Sequence, residues 1–270
     1  MNYIEAVIIG IVQGLAEFLP VSSSGHLALF QKLFGLNSDT ISITLVAHLG
    51  TLFAIIFFYQ PEFTKIFKDL FKSRTSLLVN PTIRLISLVI VATIPAIIMG
   101  IFFRESIDAF YQSYKWLGLF FLFTSMILLL SKLKSTEYNS MSTNTEYISH
   151  QITYSQALLI GLSQAIAIFP GISRTGITIT TGLFVGLKKQ NAAFFSFLIS
   201  IPAIVVTAIL ELRYISEIES PGSMITLFLT SFIFGFVGIW SLIFILRRGK
   251  LYCFSFYLIP LSIFMLYYLS

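Results

Sequence analysis

Charge is scarce in this chain of 270 residues: only 11% are Asp, Glu, Lys or Arg, where a soluble domain carries about 25%. Apolar residues make up 56%, above the usual soluble share of about 45–50%. A soluble fold of this size has no means of hiding that excess, so lipid must solvate much of its surface. Cysteine is almost missing too. The lone Cys253 excludes an intrachain disulfide and a multi-cysteine metal site. The start, Met1-Asn2-Tyr3-Ile4-Glu5, has no basic n-region and no cleavage site, so a removable signal peptide is not expected.

What the chain has instead is apolar runs. Residues 41–59, 85–103, 116–130, 192–210, 224–246 and 251–269 hold almost no charge. A helix needs roughly 20 residues at 1.5 Å rise to cross a bilayer, so six spans are expected. The formal net charge of +5 is unevenly placed. If the spans alternate, Lys65, Lys68, Lys72, Arg74, Arg84, Lys132, Lys134, Lys188, Lys189, Arg247, Arg248 and Lys250 share one side. An excess of basic residues marks the cytoplasmic side, which accounts for the charge without invoking nucleic acid as a partner.

Two segments break the pattern. Residues 9–26 read IGIVQGLAEFLPVSSSGH and residues 160–177 read IGLSQAIAIFPGISRTGI. They match without a gap at Ile9/Ile160, Gly10/Gly161, Gln13/Gln164, Ala16/Ala167, Phe18/Phe169, Ser22/Ser173 and Gly25/Gly176. Polar positions align as well as apolar ones. Three spans follow each copy, so the copies would enter the membrane from opposite sides, as in inverted-topology repeats that build a site near the midplane.

Neither segment resembles a plain span. Apolar residues at 3–4 spacing from Ile4 to Phe18 predict a helix that Pro20 ends; Ser22, Ser23 and Ser24 then offer N-cap oxygens for a new helix to about Phe34. About 15 helical residues reach about 22 Å, past mid-bilayer and no further. The same break recurs at Pro170-Gly171. The expected fold is an all-α membrane protein: six transmembrane helices plus two re-entrant helix-turn-helix hairpins in an inverted-topology repeat. Repeat one covers 1–134 with its hairpin at 3–34, a flexible polar linker covers 135–154, and repeat two covers 155–270 with its hairpin at 155–187. Two kinked full spans are the competing arrangement.

Glu17 is the one acid inside the first apolar stretch, and intramembrane ionisable groups are functional by default. Gln13 lies one turn earlier on the same face. Ser22-Ser23-Ser24-Gly25-His26 follows, and the second hairpin adds Ser173, Arg174, Thr175 and Thr178. Opposed hairpins would bring the turns together. Helix N-termini and a guanidinium fork suit phosphate, and hydroxyls beside Glu or His supply the parts for phosphoryl transfer. A carboxylate beside a diphosphate can also hold a divalent cation. His48 in the first span fits packing or support better than catalysis. His150 reads as a plain solvated histidine, and Gly182-x-x-x-Gly186 suits close helix packing.

The run from Gln13 to His26, with Pro170-Gly-Ile-Ser-Arg-Thr-Gly176, resembles the undecaprenyl-diphosphate phosphatases of the bacitracin-resistance type. The resemblance spans the whole chain. It implies a bacterial plasma-membrane enzyme that hydrolyses undecaprenyl diphosphate to the monophosphate, recycles the carrier for peptidoglycan synthesis and confers bacitracin resistance. It also implies a divalent cation, Mg²⁺ or else Ca²⁺, with Glu17 as the candidate ligand. The family's acidic motif falls on Gln13 and Glu17, its serines on Ser22 and Ser23, its histidine on His26 and its arginine on Arg174. Many members carry Glu where this chain has Gln13, which can orient a water or a metal-bound oxygen but cannot be a general base. The type-2 phosphatidic-acid phosphatases, which share a Ser-Gly-His run, are set aside because Thr180 stands where their Ser-Arg-x5-His histidine should be.

The expected roles are these. Arg174 and backbone N–H groups hold the phosphates, with Gln13, Ser22, Ser24, Ser173 and Thr178 binding or positioning substrate. Ser23 attacks phosphorus, activated by Glu17, and His26 acts as acid or base; His26 as nucleophile is the alternative. The site is expected to open to the outer side, with the polyprenyl tail among the Phe-rich spans. A transporter or flippase of a phosphorylated polyprenyl lipid is the competing function, and a homodimer is an assembly the sequence allows.

Overall fold

The computed structural model describes residues 1–36, 40–72, 80–134, 145–211 and 220–268. Regular structure among them is entirely helical. In chain order the helices are α1 Tyr3–Phe18, α2 Ser23–Leu33, α3 Thr40–Phe58, α4 Gln60–Lys72, α5 Pro81–Phe102, α6 Arg104–Tyr111, α7 Tyr114–Leu130, α8 Thr145–Gln151, α9 Tyr154–Ile166, α10 Arg174–Phe184, α11 Lys189–Glu211, α12 Pro221–Arg247 and α13 Ser255–Tyr268. Five helical segments are long and apolar enough to cross a membrane: Ile41–Phe58, Pro81–Phe102, Tyr114–Leu133, Lys189–Leu210 and Pro221–Arg247. The sixth expected run is shorter. A 3-10 turn, Leu251–Phe254, uses its first residues and leaves α13 with 14.

The apolar residues divide between a core and an outward surface. Along α12, Leu227, Ser231, Gly235, Gly238 and Leu242 are buried, while Ile225, Leu229, Ile233 and Trp240 stand exposed at near-four spacing. α5 repeats this with Ile90, Ile94 and Ile98 outward. A helix apolar on both faces belongs in lipid or in a large core, and among the described residues no protein covers the outward stripes. The chain is therefore a multi-pass membrane protein.

Asn2 starts α1 with a reciprocal capping box to Glu5, and Thr153 starts α9 in the same way with Gln156. The helices pack crosswise: α1 against α12 and α9 against α5. Glycine permits each approach. A Cβ on Gly14 would lie 2.8 Å from the Gly235 nitrogen, and one on Gly161, 2.5 Å from the Ala92 oxygen. Gly14→Ala must therefore push two backbones apart, and we expect a loss of about 1–3 kcal/mol, read as a lower thermal unfolding midpoint in detergent.

Three helices lie where only loops or linker were expected. α4 alternates Phe63, Ile66, Phe67 and Leu70 with Lys65, Lys68 and Asp69, and Phe63 and Ile66 pack on the core. α6 joins α5 to α7. Within the expected flexible linker, α8 is helical: Arg84 donates to the carbonyls of Ser149 (2.9 Å) and Ile152 (3.0 Å), and Ile148 and Ile152 are buried. Residues 135–144 of that linker, like Arg74, lie outside the described residues. Gly182 does pack closely, its face against Ala192, while Gly186 has a φ of +96° and ends α10.

Candidate active site

Two turns meet inside the bundle. In the first, Leu19 is extended, as a residue before proline must be, and Ser22 takes a φ of +68°. A non-glycine residue there carries strain of order 1–3 kcal/mol, held by its contacts. Ser22 Oγ accepts the N–H of Gly25 (3.3 Å) and, across the interface, that of Gly171 (3.1 Å). Gly171, with φ +103°, is the counterpart in the second turn. A Cβ on Gly25 would sit 2.9 Å from the Gly171 Cα, so only glycines allow the turns to touch. The N-termini of α2 and α10 thus converge.

Thr124 of α7 braces the second turn. Its hydroxyl donates to the Gly171 carbonyl (2.8 Å) and accepts the Ser173 N–H (3.0 Å). Thr124→Val would leave both groups buried and unpaired, at about 1–3 kcal/mol each. We expect a lower unfolding midpoint and slower turnover, with Thr124→Ser restoring both.

Glu17 is the hub. Its carboxylate accepts from Ser23 Oγ (2.5 Å), from Gln13 Nε2 (3.1 Å) and from the guanidinium of Arg174 across the two turns. His48 Nε2 stands 3.6 Å away. The His48 Nδ1–H is committed to the Thr44 carbonyl (2.7 Å), so Nε2 is the nitrogen facing the carboxylate. Thr175 donates to the Glu17 backbone carbonyl (2.9 Å), fixing the second turn under the first. Glu17 and Gln13 are buried, whereas Ser23, Ser24, Arg174 and His48 are partly exposed. The accessible mouth therefore presents two hydroxyls, a guanidinium and an imidazole over a buried acid.

His26 sits one turn along α2 from Ser23. Its Nδ1 donates to the Ser22 carbonyl (2.8 Å), which fixes the tautomer, and Nε2 is 2.7 Å from the Tyr257 hydroxyl. Phe121 meets the ring edge-on. Both nitrogens are thus engaged. Ser22, Ser173 and Thr178, expected to touch substrate, are buried and bonded internally: Ser173 Oγ caps Gly176, and Thr178 bonds the Arg174 carbonyl and Ser196. They hold the turns in shape. Ser24 bonds Ser22 (3.2 Å) at the mouth.

Sequence reasoning missed Thr124, Ser196 and Tyr257, and it named Thr175 with the second hairpin without giving it a role. A lone Thr or Tyr in an aromatic-rich membrane chain carries no signal of its own. His48 did carry one, as an ionisable group within a span.

Residues 6–264 match the family described as Bacitracin resistance protein BacA. The chain belongs to the BacA family. It is 43% identical to a protein of Thermosipho melanesiensis, covering 96% of each chain, and 38% identical to one of Alkaliphilus metalliredigens, covering 95% of each. A third relative, from Methanosphaera stadtmanae, is 33% identical over 95% of this chain and 94% of its own. All three are named undecaprenyl-diphosphatase. The resemblance read from the two motifs is borne out.

The BacA resemblance implied a divalent cation, and the residues fit one in part. Among the described residues no three His, Cys, Asp or Glu side chains cluster. Gln13 Oε1, however, is buried without a hydrogen-bond partner among them, on the amide whose Nε2 donates to Glu17. Mg²⁺ commonly takes one or two protein oxygens and completes its shell with phosphates and water, which this pair can supply.

Proposed function

We propose that this BacA-family chain hydrolyses undecaprenyl diphosphate to undecaprenyl phosphate and inorganic phosphate. The observation that carries this is the 2.5 Å bond from Ser23 Oγ to Glu17, beside Arg174 at a partly exposed mouth. A carboxylate at that distance can take the hydroxyl proton as Ser23 attacks. Arg174 holds phosphate oxygens, and the N-termini of α2 and α10 add their positive dipole ends. The Ser23 Oγ–P bond forms as the anhydride P–O bond breaks, releasing undecaprenyl phosphate. His26, when protonated at Nε2, gives that proton to the leaving group, or, when neutral, takes one from the water that cleaves the Ser23 Oγ–P bond and releases inorganic phosphate. Either role needs Nε2 to turn from the Tyr257 hydroxyl to the substrate. Arg174 must partly release Glu17 to reach substrate, so substrate entry exchanges one anionic partner for another. A divalent cation would be held by Glu17 and, once its amide turns, by Gln13 Oε1, and would supply neutralisation of the diphosphate charge.

The monophosphate returns as carrier for peptidoglycan synthesis, in keeping with bacitracin resistance. In the proposed topology α1–α2 and α9–α10 are re-entrant hairpins from opposite sides, and α3, α5, α7, α11, α12 and α13 cross a bacterial plasma membrane. The reciprocal packing of α1 on α12 and α9 on α5 supports an inverted repeat. The mouth opens outward, opposite the basic loops.

Phosphate release from undecaprenyl diphosphate by the purified chain in detergent is the test. Detergent abolishes compartments, so release requires an enzyme. Binding without release would instead favour transport of the lipid.

A further inference from the structure

A cavity lies apart from the two turns, and cations surround it. Lys132 and Lys134 follow α7, Lys189 opens α11, and Arg247 and Arg248 close α12. No Asp or Glu lines it. Ser131 adds a hydroxyl, and Leu183, Leu246 and Leu251 give it an apolar wall.

Lys189 decides what the cavity is for. The residue is only 9% exposed, yet its ammonium has no hydrogen-bond, ion-pair or ring partner among the described residues. Gly249, at φ +67°, makes room for it: a Cβ there would lie 3.1 Å from Lys189 Nζ. Three of the neighbouring cations lie over aromatic rings. Lys132 lies over the Tyr252 ring, Lys134 over Phe184 and Arg248 over Phe244. Lys189 also sits in the first turn of a long helix, where the dipole disfavours a cation and favours an anion. Basic loops on one membrane face explain exposed lysines. They do not explain a lysine drawn in until it is nine-tenths buried, with its ammonium at the cavity beside four other cations, an arrangement that an anion there would relieve.

We infer that this cavity binds a phosphate-bearing anion, a lipid headgroup or free phosphate, with Lys189 as its central contact. The guanidinium of Arg248, at the same cavity wall, has the fork geometry that matches phosphate oxygens. Basic pockets at the ends of membrane helices are where phosphate headgroups lodge, and the leucine wall suits the first carbons of an acyl chain. The site is separate from the catalytic turns: α10 runs from Arg174 to Leu183 between them, about 14 Å at 1.5 Å per residue.

The test uses the full chain, stripped of lipid in maltoside detergent, with thermal unfolding as readout. One arm adds inorganic phosphate against chloride at equal ionic strength. The other adds mixed micelles of phosphatidylglycerol, with phosphatidylcholine as the neutral control. At least one arm should raise the midpoint of the unmodified chain by several degrees. Lys189→Gln should lose that rise, and the Lys65→Gln/Lys68→Gln pair on α4, which removes charge elsewhere, should keep it. Phosphate acting alone identifies free phosphate; a response confined to phosphatidylglycerol identifies a headgroup. The catalytic turns are intact in both variants, so the difference reads this cavity. Should Lys189→Gln not fold, Lys132→Gln/Lys134→Gln at the exposed rim should raise the half-saturating concentration about tenfold. No rise in either arm, an equal rise in the cavity variants, or an equal loss in the α4 pair would overturn the site.

Discussion

Ser23→Ala is expected to lower kcat for lipid diphosphate hydrolysis by on the order of 10³-fold or more, with KM little changed. The hydroxyl is partly exposed and bonded to a buried carboxylate, so its loss removes the attacking atom without removing a packing contact. α2 keeps its N-cap, because Ser22 supplies that oxygen. The unfolding midpoint should therefore stay close to that of the unmodified chain, and initial rates of phosphate release measure the chemistry alone. A fall of less than tenfold would remove Ser23 as nucleophile.

Arg174→Ala should damage both folding and turnover. Among the described residues its guanidinium is the one fixed cation paired with Glu17, whose side chain is 3% exposed. Breaking a buried pair by removing one partner costs about 3–5 kcal/mol, because the other charge is left uncompensated. Phosphate binding loses its fork at the same time, so KM should rise as kcat falls. The two effects can be separated. Glu17→Gln/Arg174→Gln removes both charges and should recover much of the stability lost by Arg174→Ala, while remaining inactive. If the double variant is no more stable than Arg174→Ala, the ion pair is not what holds the turns together.

Much of this was legible in the sequence, and the exceptions have physical causes. Pro20 and the following serines fixed the end of α1 and the start of α2 because proline stops a helix and Ser caps the next. The contact between the turns followed from the repeat, and Glu17 with Arg174 followed from the expense of charge in lipid. The sixth apolar run was read as one span because composition does not show that Leu251–Phe254 winds as a 3-10 turn. α4 was missed because its lysines were read as a charge signal and not for the 3–4 spacing of Phe63, Ile66, Phe67 and Leu70 between them. Ser22 and Thr178 looked like phosphate ligands, yet their hydroxyls bond the protein itself. A hydroxyl type in a motif does not say which way it points. Thr124 and Tyr257 reach the turns from 47 and 231 positions away along the chain, and no local pattern encodes such a partner.

The role of Ser23 is open to one direct measurement. The purified chain is mixed with undecaprenyl diphosphate labelled in its terminal phosphate, quenched within a single turnover, and the labelled residue is mapped. His26 has Nδ1 tied to Ser22 and Nε2 facing Tyr257, whereas Ser23 faces Glu17 at the open mouth. Label is expected on Ser23 as an acid-stable phosphoserine. Acid-labile label on His26, or substrate consumed with no labelled protein at all, would contradict attack by Ser23.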